Sequence, residues 1–486
     1  MPEDNLKTSV LSSLFWKSLE RGGVSGIQLI IQIILARLLL PEDYGIIALI
    51  VVFISISQTF VQSGLGTALI QKREATDEDY SSVFYLSLGI ALVFYCILFL
   101  AAPFIAAFYN QPLITPILRV LGLTLFFGAV NTIQNAVVAR NFQFRKLFVS
   151  SVGAVLLSGI VGISMANTGY GVWALVGQQL TSIIALCAIM WFTVKWRPKL
   201  LFSLARVKEL FSFGWKLLVS GLMDVTYNNL STLVIGKLYP ANMLGFYTKG
   251  QEFPNLLVSN INSSIQAVMF PAYARCQDNR PMVKQIMRRA LVTSSFLVFP
   301  AMAGLAAVAK PLVILLLTEK WLFAVPFLQI FCAVYALWPI HTVNLQAINA
   351  LGRSDVFLKL EIIKKALGLS VLAFTIPIGI YAMALGMVVT GVIGTLINAY
   401  PNKLLLDYSV TEQWRDLMPT MILSLIMCGV VYSILFLDLS VWATLILQIV
   451  VGVVVYVGLA WVLKLESLIY VLNTVKEYLP GGKGSC

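Results

Sequence analysis

The sequence predicts an all-α polytopic membrane protein with about 14 transmembrane helices, and three observations carry that reading. The 486 residues are 59% hydrophobic and only 12% charged, whereas soluble domains carry about 25% charged residues. Mean hydropathy is +0.87, and apolar runs follow one another with short connections, leaving no polar stretch long enough for a soluble catalytic domain. The runs are also too long for barrel strands, so helices must satisfy the backbone in lipid.

Taken in order, the apolar segments are 15–38, 45–70, 82–108, 115–139, 147–167, 172–194, 213–237, 245–270, 287–309, 325–350, 357–376, 381–404, 418–437 and 441–463. At roughly 20 residues per span they account for about 280–300 residues. Lys310–Trp321 reads as either a loop or a partly interfacial excursion. The net charge is +12, which here reads as loop charge holding the topology. With the N-terminus inside, basic loops at Lys72–Arg73, Arg140–Lys146, Lys195–Lys208, Arg275–Arg289, Arg353–Lys359 and Lys403–Arg415 all fall on the cytoplasmic side. Arg37, Arg119, Lys237, Lys249, Lys310 and Lys320 fall at or near the outer side. The positive-inside rule therefore places both termini in the cytoplasm. No secretory signal is expected, because the first apolar run is too long and has no cleavage site. Six scattered cysteines (Cys96, Cys187, Cys276, Cys332, Cys428, Cys486) form no CxxC, so neither a disulfide framework nor a metal site is expected.

The chain repeats itself. Ser13-Leu14-Phe15-Trp16-Lys17 matches Ser212-Phe213-Gly214-Trp215-Lys216 at an offset of 199, and Tyr44-Gly45-Ile46 matches Leu244-Gly245-Phe246 at 200. Asn131-Thr132-Ile133-Gln134 faces His341-Thr342-Val343-Asn344 at 210. A duplicated six-span unit is even in number, so the copies share one orientation and relate by an axis along the membrane normal. The expected organisation is an N-terminal six-helix lobe at 1–205, a C-terminal six-helix lobe at 206–410 and an extra helix pair with a cytoplasmic tail at 411–486. Trp196–Phe211, basic and aromatic, reads as an interfacial amphipathic linker.

Polar residues at helical spacing mark faces turned toward protein or water. The first span carries Lys17, Arg21, Ser25, Gln28 and Gln32, and the seventh carries Lys216, Ser220, Asp224, Asn228 and Ser231. Ser55, Thr59, Gln62 and Ser63 of the second span recur 200 residues later as Asn255, Ser259, Asn262 and Ser263, extended by Glu252 and Gln266. The fourth span adds Thr124, Asn131 and Asn135. Singly, such residues serve as interhelical glue; together, with their charges, they point to a shared hydrophilic cavity. Lys17, Glu20 and Arg21 lie where snorkelling to the interface would serve equally well, and Arg37 and Lys237 read as interface anchors. Asp224 and Glu252 read as ion-coupling acids or as partners of Lys216 and Lys249. His341, the one histidine, reads as a satisfied polar group before a proton relay. Gly22 and Gly26 form a GxxxG spacing that predicts close helix contact, and Pro254, Pro271, Pro300, Pro326, Pro339 and Pro377 predict kinks. Asp77-Glu78-Asp79 imitates a metal-binding DxD, but its place before an apolar run predicts helix-dipole pairing instead. No Walker A sequence is present.

Several stretches bear a family likeness. Ala36–Gly45 (ARLLLPEDYG), Gly64–Arg73 (GLGTALIQKR), Asp77–Phe84 (DEDYSSVF), Ala102–Tyr109 (APFIAAFY), Gly245–Pro254 (GFYTKGQEFP) and Phe270–Arg275 (FPAYAR) resemble the corresponding stretches of Wzx-type polysaccharide flippases, nearest to the lipopolysaccharide-biosynthesis or colanic-acid-exporter type. The likeness covers most of residues 10–410. It implies the multidrug/oligosaccharidyl-lipid/polysaccharide exporter fold, two six-helix bundles in a V with spans 1, 2, 7 and 8 lining the cleft. It also implies an undecaprenyl-diphosphate-linked oligosaccharide as substrate, moved by alternating access across a bacterial inner membrane for surface polysaccharide assembly. Membrane lipids are the surrounding partners, a polysaccharide polymerase and chain-length machinery the protein partners, with no cofactor and no nucleic acid. With that substrate, Lys17, Arg21 and Lys216 become diphosphate partners, and Gln28, Gln32, Gln62, Asn228, Asn255 and Asn262 become sugar-hydroxyl partners, with Asn131 and Asn135 also in the cavity.

A cation-coupled multidrug antiporter of the same superfamily and a lipid II flippase are the alternatives. A polysaccharide polymerase or ligase would need a large periplasmic loop with catalytic side chains, which this chain lacks, so the reading is of a transporter and not an enzyme.

Overall fold

The computed structural model describes residues 3–72 and 74–469. Arg73, the expected cytoplasmic tail from 470 onward with Cys486, and the side chains of the Ser13-Leu14-Phe15 match lie outside the described residues. Among the described residues every regular element is a helix. The chain separates into two compact units, Met1–Thr248 and Lys249–Cys486.

The first unit holds α1 (Glu3–Leu38), α2 (Pro41–Gln62), α3 (Leu65–Gln71), α4 (Asp77–Tyr109), α5 (Ile114–Leu121), α6 (Thr124–Arg140), α7 (Phe144–Asn167), α8 (Val172–Thr193), α9 (Leu204–Leu238) and the first turns of α10 (Ala241–Arg275). α7 packs against both α8 and α1, while α2 packs on α4, α6, α8 and α9. Small residues set the tight crossings: a Cβ on Gly159 would run into Ile31 of α1, and one on Gly162 would stand 2.8 Å from Gln178 of α8. A buried cluster around Leu65, Leu69, Val83, Ile133 and Met190 joins α3, α4, α6 and α8.

The second unit continues α10 and adds α11 (Arg280–Ala307), α12 (Ala309–Leu317), a 3₁₀ turn at Glu319–Ala324, α13 (Val325–Ala336), α14 (Trp338–Ala350), α15 (Ser354–Thr375), α16 (Ile380–Leu406), α17 (Val410–Ser433) and α18 (Val441–Val462). α11 packs on α13, α14 and α17, and α17 on α18. Lys310–Trp321 is thus a short helix entering a 3₁₀ turn, with Trp321 fully buried.

Every expected apolar segment is helical, and eleven stretches among the described residues are long and apolar enough to cross a membrane. The other expected spans, α9, α10 and α15, are helices of sufficient length that carry too many polar groups to meet the same measure. In α9 and α10 these groups are the stripes read above; in α15 they are Lys359, Glu361, Lys364 and Lys365. Elsewhere the helices turn large apolar side chains outward: Ile446, Val453 and Trp461 of α18 are 60%, 59% and 73% exposed. An aqueous fold would bury these; a multi-pass membrane protein presents them to lipid.

Two glycine expectations divide. Nothing stands near a Cβ built on Gly22 or Gly26, so that GxxxG spacing makes no close crossing in this structure. The close crossing is at the repeat match instead: a Cβ on Gly45 would collide with the carbonyl of Ala241, and one on Gly245 with that of Pro41. The N-terminal turns of α2 and α10 therefore meet reciprocally, backbone to backbone. The prolines divide as well. Pro254, Pro271 and Pro300 sit inside helices, whereas Pro326 and Pro339 occupy first turns and Pro377 follows the end of α15, because proline lacks the donor that a helix interior requires.

Asp77-Glu78-Asp79 opens α4 as a capping sequence. The Thr76 side chain accepts from Asp79 N at 3.3 Å, and Asp79 Oδ2 accepts from Thr76 N at 2.9 Å. The same acids tie down the linker: Asp77 pairs with Lys199 at 2.6 Å and Asp79 with Lys72 at 3.1 Å. Ser81 and Ser82 accept from the backbone N–H groups of Lys199 and Ser203, while Trp196 packs on Tyr80 and Phe84. Burial works against the charge of Lys72, yet its hydrogen bonds to Glu209 and Asp79 hold its ammonium above the usual lysine range.

The reciprocal crossing is testable. Gly45→Ala and Gly245→Ala are each expected to cost about 1–3 kcal/mol through overpacking, whereas Gly22→Ala leaves stability unchanged or raised. Thermal unfolding of the detergent-purified variants reads the difference.

Candidate functional site

The first unit forms an open cavity of about 660 Å³, within the range of about 300–1,000 Å³ usual for ligand sites. A helix break builds one wall. Ser63 and Gly64 both take left-handed backbone angles, ending α2 and re-aiming the chain into α3. Gly64 lies so close to α9 that a Cβ would stand 2.6 Å from Gly214 O, and one on Gly214 would stand 2.7 Å from Ser63 O. Only glycine permits both the angle and this approach. The break carries Gln62, Gly66 and Thr67 to the cavity, opposite Thr132 and Asn135 of α6. α1 contributes Lys17 and Glu20, α7 contributes Phe144 and Ser151, and α9 closes an apolar side with Leu217, Leu218 and Gly221.

The electrostatics centre on α1. Lys17 Nζ lies 2.8 Å from Glu20 Oε2, Ser151 Oγ donates to Glu20 Oε1 at 3.3 Å, and the Phe144 ring lies 6.0 Å from the ammonium. The cavity therefore offers one cation, one anion, several hydroxyls and two amides, with apolar surface beside them. That inventory suits a ligand with an anionic group, hydroxyls and a hydrocarbon portion.

Of the residues singled out in the sequence, Lys17, Glu20, Thr59, Gln62 and Asn135 meet here. Arg21, Gln28, Lys216 and Asn228 are exposed on α1 and α9 without lining this cavity. Gln32 donates to Gln178 of α8 at 3.4 Å. Asn131 and its neighbour Gln134 are buried, and among the described residues their amide atoms have no hydrogen-bond partner. Asp224 is exposed and takes part in an interaction. In the second unit Asn255 is exposed, Asn262 is buried with Oδ1 unpartnered, and Glu252 pairs at 2.7 Å with Lys249, which is only 3% exposed. His341 takes the packing role, its Nδ1 lying 2.9 Å from Asn398 Nδ2. Alongside it Asn402 donates to Asn344 at 2.7 Å and Asn344 donates to Gln413 at 3.1 Å. Lys237 donates to the Phe108 carbonyl and lies over its ring.

Sequence reasoning left out Thr67, Thr132 and Ser151, and treated Glu20 only as an interfacial charge. Thr132 enters the sequence reading only as part of the repeat match, and Ser151 belongs to a helix whose Ser150, Ser151 and Ser158 look like packing residues. The one available signal was the Lys17–Glu20 spacing of three, which brings two side chains together on a helix.

Residues 34–326 match the family described as polysaccharide biosynthesis protein. The chain is 25% identical over 399 residues to the lipopolysaccharide biosynthesis protein WzxC of Escherichia coli (strain K12), covering 82% of this chain and 81% of the relative. It is 26% identical over 327 residues to the succinoglycan biosynthesis transport protein ExoT of Rhizobium meliloti (strain 1021), covering 67% and 66% respectively. Among solved structures, the lipid II flippase MurJ in an inward closed conformation superposes with a TM-score of 0.74 at 17% identity, over 95% of this chain and all of that one. The two chains therefore share this all-helical fold.

Cysteines placed at Gln62, Thr132 and Asn135, in a background with the native cysteines replaced, are expected to react with a membrane-impermeant thiol reagent. A cysteine at fully buried Gln134 is expected to react roughly tenfold slower or less, because reactivity follows access. Mass spectrometry of labelled membranes reads the contrast.

Proposed function

The chain belongs to the polysaccharide biosynthesis protein family, and from that membership we propose that it is a flippase for undecaprenyl-diphosphate-linked oligosaccharides. It moves them across the bacterial inner membrane for assembly of a surface polysaccharide. The observation that carries this reading is the cavity: hydroxyls, amides and a lysine at one place in a molecule whose outer surface is apolar. Without such a site, sugar hydroxyls and a diphosphate would cross hydrocarbon with their hydrogen bonds and charge solvation lost. Cavity groups replace that hydration while the polyprenyl tail stays in lipid, so the task is translocation and no bond is made or broken.

Under this reading the chain is organised as two six-helix lobes, 1–205 and 206–410, and a further pair with its tail at 411–486. About 14 spans follow from the apolar runs, and two cytoplasmic termini from the loop charge together with that even number. The reciprocal Gly45–Gly245 meeting supports a twofold relation between the copies, and alternating access is their relative motion. Lys17, Arg21 and Lys216 bind the diphosphate; Gln28, Gln32, Gln62, Asn228, Asn255 and Asn262 serve the sugars, with Asn135 beside Gln62 in the cavity. Asp224 and Glu252 are the acids for ion coupling, Glu252 exchanging its Lys249 partner for the ion. A polymerase and chain-length machinery take the product.

Charge-assisted hydrogen bonds are worth about 1.5–3 kcal/mol each, so joint replacement of Lys17, Arg21 and Lys216 by Gln is expected to abolish export. Lipid-linked oligosaccharide should then accumulate in the cytoplasmic leaflet, as read by extraction after selective periplasmic deglycosylation. Undiminished surface polysaccharide in that strain rejects the assignment.

A further inference from the structure

Lys17 enters the cavity already neutralised. Glu20 holds the ammonium at 2.8 Å with one carboxylate oxygen and accepts from Ser151 with the other, so an acid on α1 is braced from α7. The Glu20 side chain is 15% exposed and that of Lys17 is 36% exposed, and all three residues line the cavity. An arriving anion must therefore replace a carboxylate that is tethered to the same helix turn, and must then tolerate that carboxylate as a neighbour.

We propose that Glu20 determines specificity by acting as a built-in competitor for Lys17, setting a minimum negative charge for any lipid headgroup that enters. This rests on the flippase reading above and names the rule by which the site chooses its substrate. The surrounding bilayer holds phospholipids in great excess, and their phosphodiesters carry a single charge. Such a group gains at Lys17 no more than the carboxylate it displaces, while the intramolecular acid enjoys a high effective concentration. A dianionic diphosphate brings twice the charge and more acceptor oxygens, and so wins the exchange. Ser151 keeps a hydrogen bond for the displaced carboxylate, which leaves Glu20 ready to reclaim Lys17 when the cargo departs. Specificity thus arises from a repulsive element beside the attractive one, and a cavity with Lys17 alone would admit bulk anionic lipid.

The test measures binding of two probes to the purified full-length chain in nanodiscs of zwitterionic lipid: a sugar-capped short-chain polyprenyl diphosphate and short-chain phosphatidylglycerol. Glu20→Gln is expected to raise phosphatidylglycerol affinity about tenfold, equivalent to about 1.4 kcal/mol, with at least as large a gain for the diphosphate, because the internal carboxylate competes with every arriving anion. The threshold is seen as phosphatidylglycerol binding that is negligible in the wild-type chain and measurable in the variant. Glu20→Asp should keep the wild-type affinities, and Lys17→Gln added to Glu20→Gln should erase the gain. Ser151→Ala, which leaves both charges in place, should raise both affinities by a smaller factor and serves if Glu20→Gln fails to fold. Unchanged phosphatidylglycerol affinity in Glu20→Gln and Ser151→Ala overturns the proposal. So does a parallel loss of both affinities, which would make Glu20 a positioning residue for Lys17. Failure of the wild-type chain to bind the diphosphate probe at all strikes the flippase reading itself.

Discussion

Hydrocarbon solvates neither a peptide group nor a polar side chain, and the arrangement of this protein follows from that constraint. Backbone groups are satisfied within each segment, so the apolar runs become helices. The same rule gathers the side chains that lipid cannot accept. In the first unit some polar groups pair between helices, as Gln32 of α1 does with Gln178 of α8, and others line the cavity, as Gln62 and Asn135 do. The two helices with the strongest polar stripes, α9 and α10, are among those too polar to be lipid-facing spans by composition. Their polarity is the reason to read them as functional.

Glycines are used here for approach as much as for conformation. At Gly45 and Gly245 two helix starts meet with no room for a methyl group. At Gly64 a left-handed residue both breaks the helix and lies against Gly214. The first contact brings the duplicated segments together at equivalent positions; the second shapes the cavity wall. In both places a side chain would hold the helices apart. By contrast Gly22 and Gly26, which carry the recognised spacing, meet nothing. Spacing states where a close contact could form, and a neighbouring helix decides whether it does.

Charge in the first unit is handled by pairing. Lys72 is shared between buried Asp79 and exposed Glu209, and the acids that imitate a metal motif cap α4 and hold the linker instead. Lys17 is shared with Glu20. The first arrangement joins segments far apart in sequence and lies against packed core. The second faces the open space of the cavity, and this difference of surroundings separates the two ion pairs.

The fold class, the place of each helix, the duplicated pattern and the family likeness were legible in the sequence because they rest on local properties: hydrophobic run length, helical period, and short motifs at loops and ends. Lys17, Gln62 and Asn135 were legible as members of polar stripes for the same reason, and the structure places them along one cavity. Thr67, Thr132 and Ser151 were not, since a hydroxyl on a membrane helix reads equally as glue until a cavity is seen beside it. Nor was the placement of Asn131, whose polarity pointed to the cavity and which lies buried, whereas His341 takes the satisfied polar role its sequence suggested. By itself the sequence determined which segments become helices and which of their faces lipid refuses. Only the tertiary structure decided which refused faces meet one another and which enclose open space, because that depends on helix neighbours brought together from distant parts of the chain, and no local period encodes them.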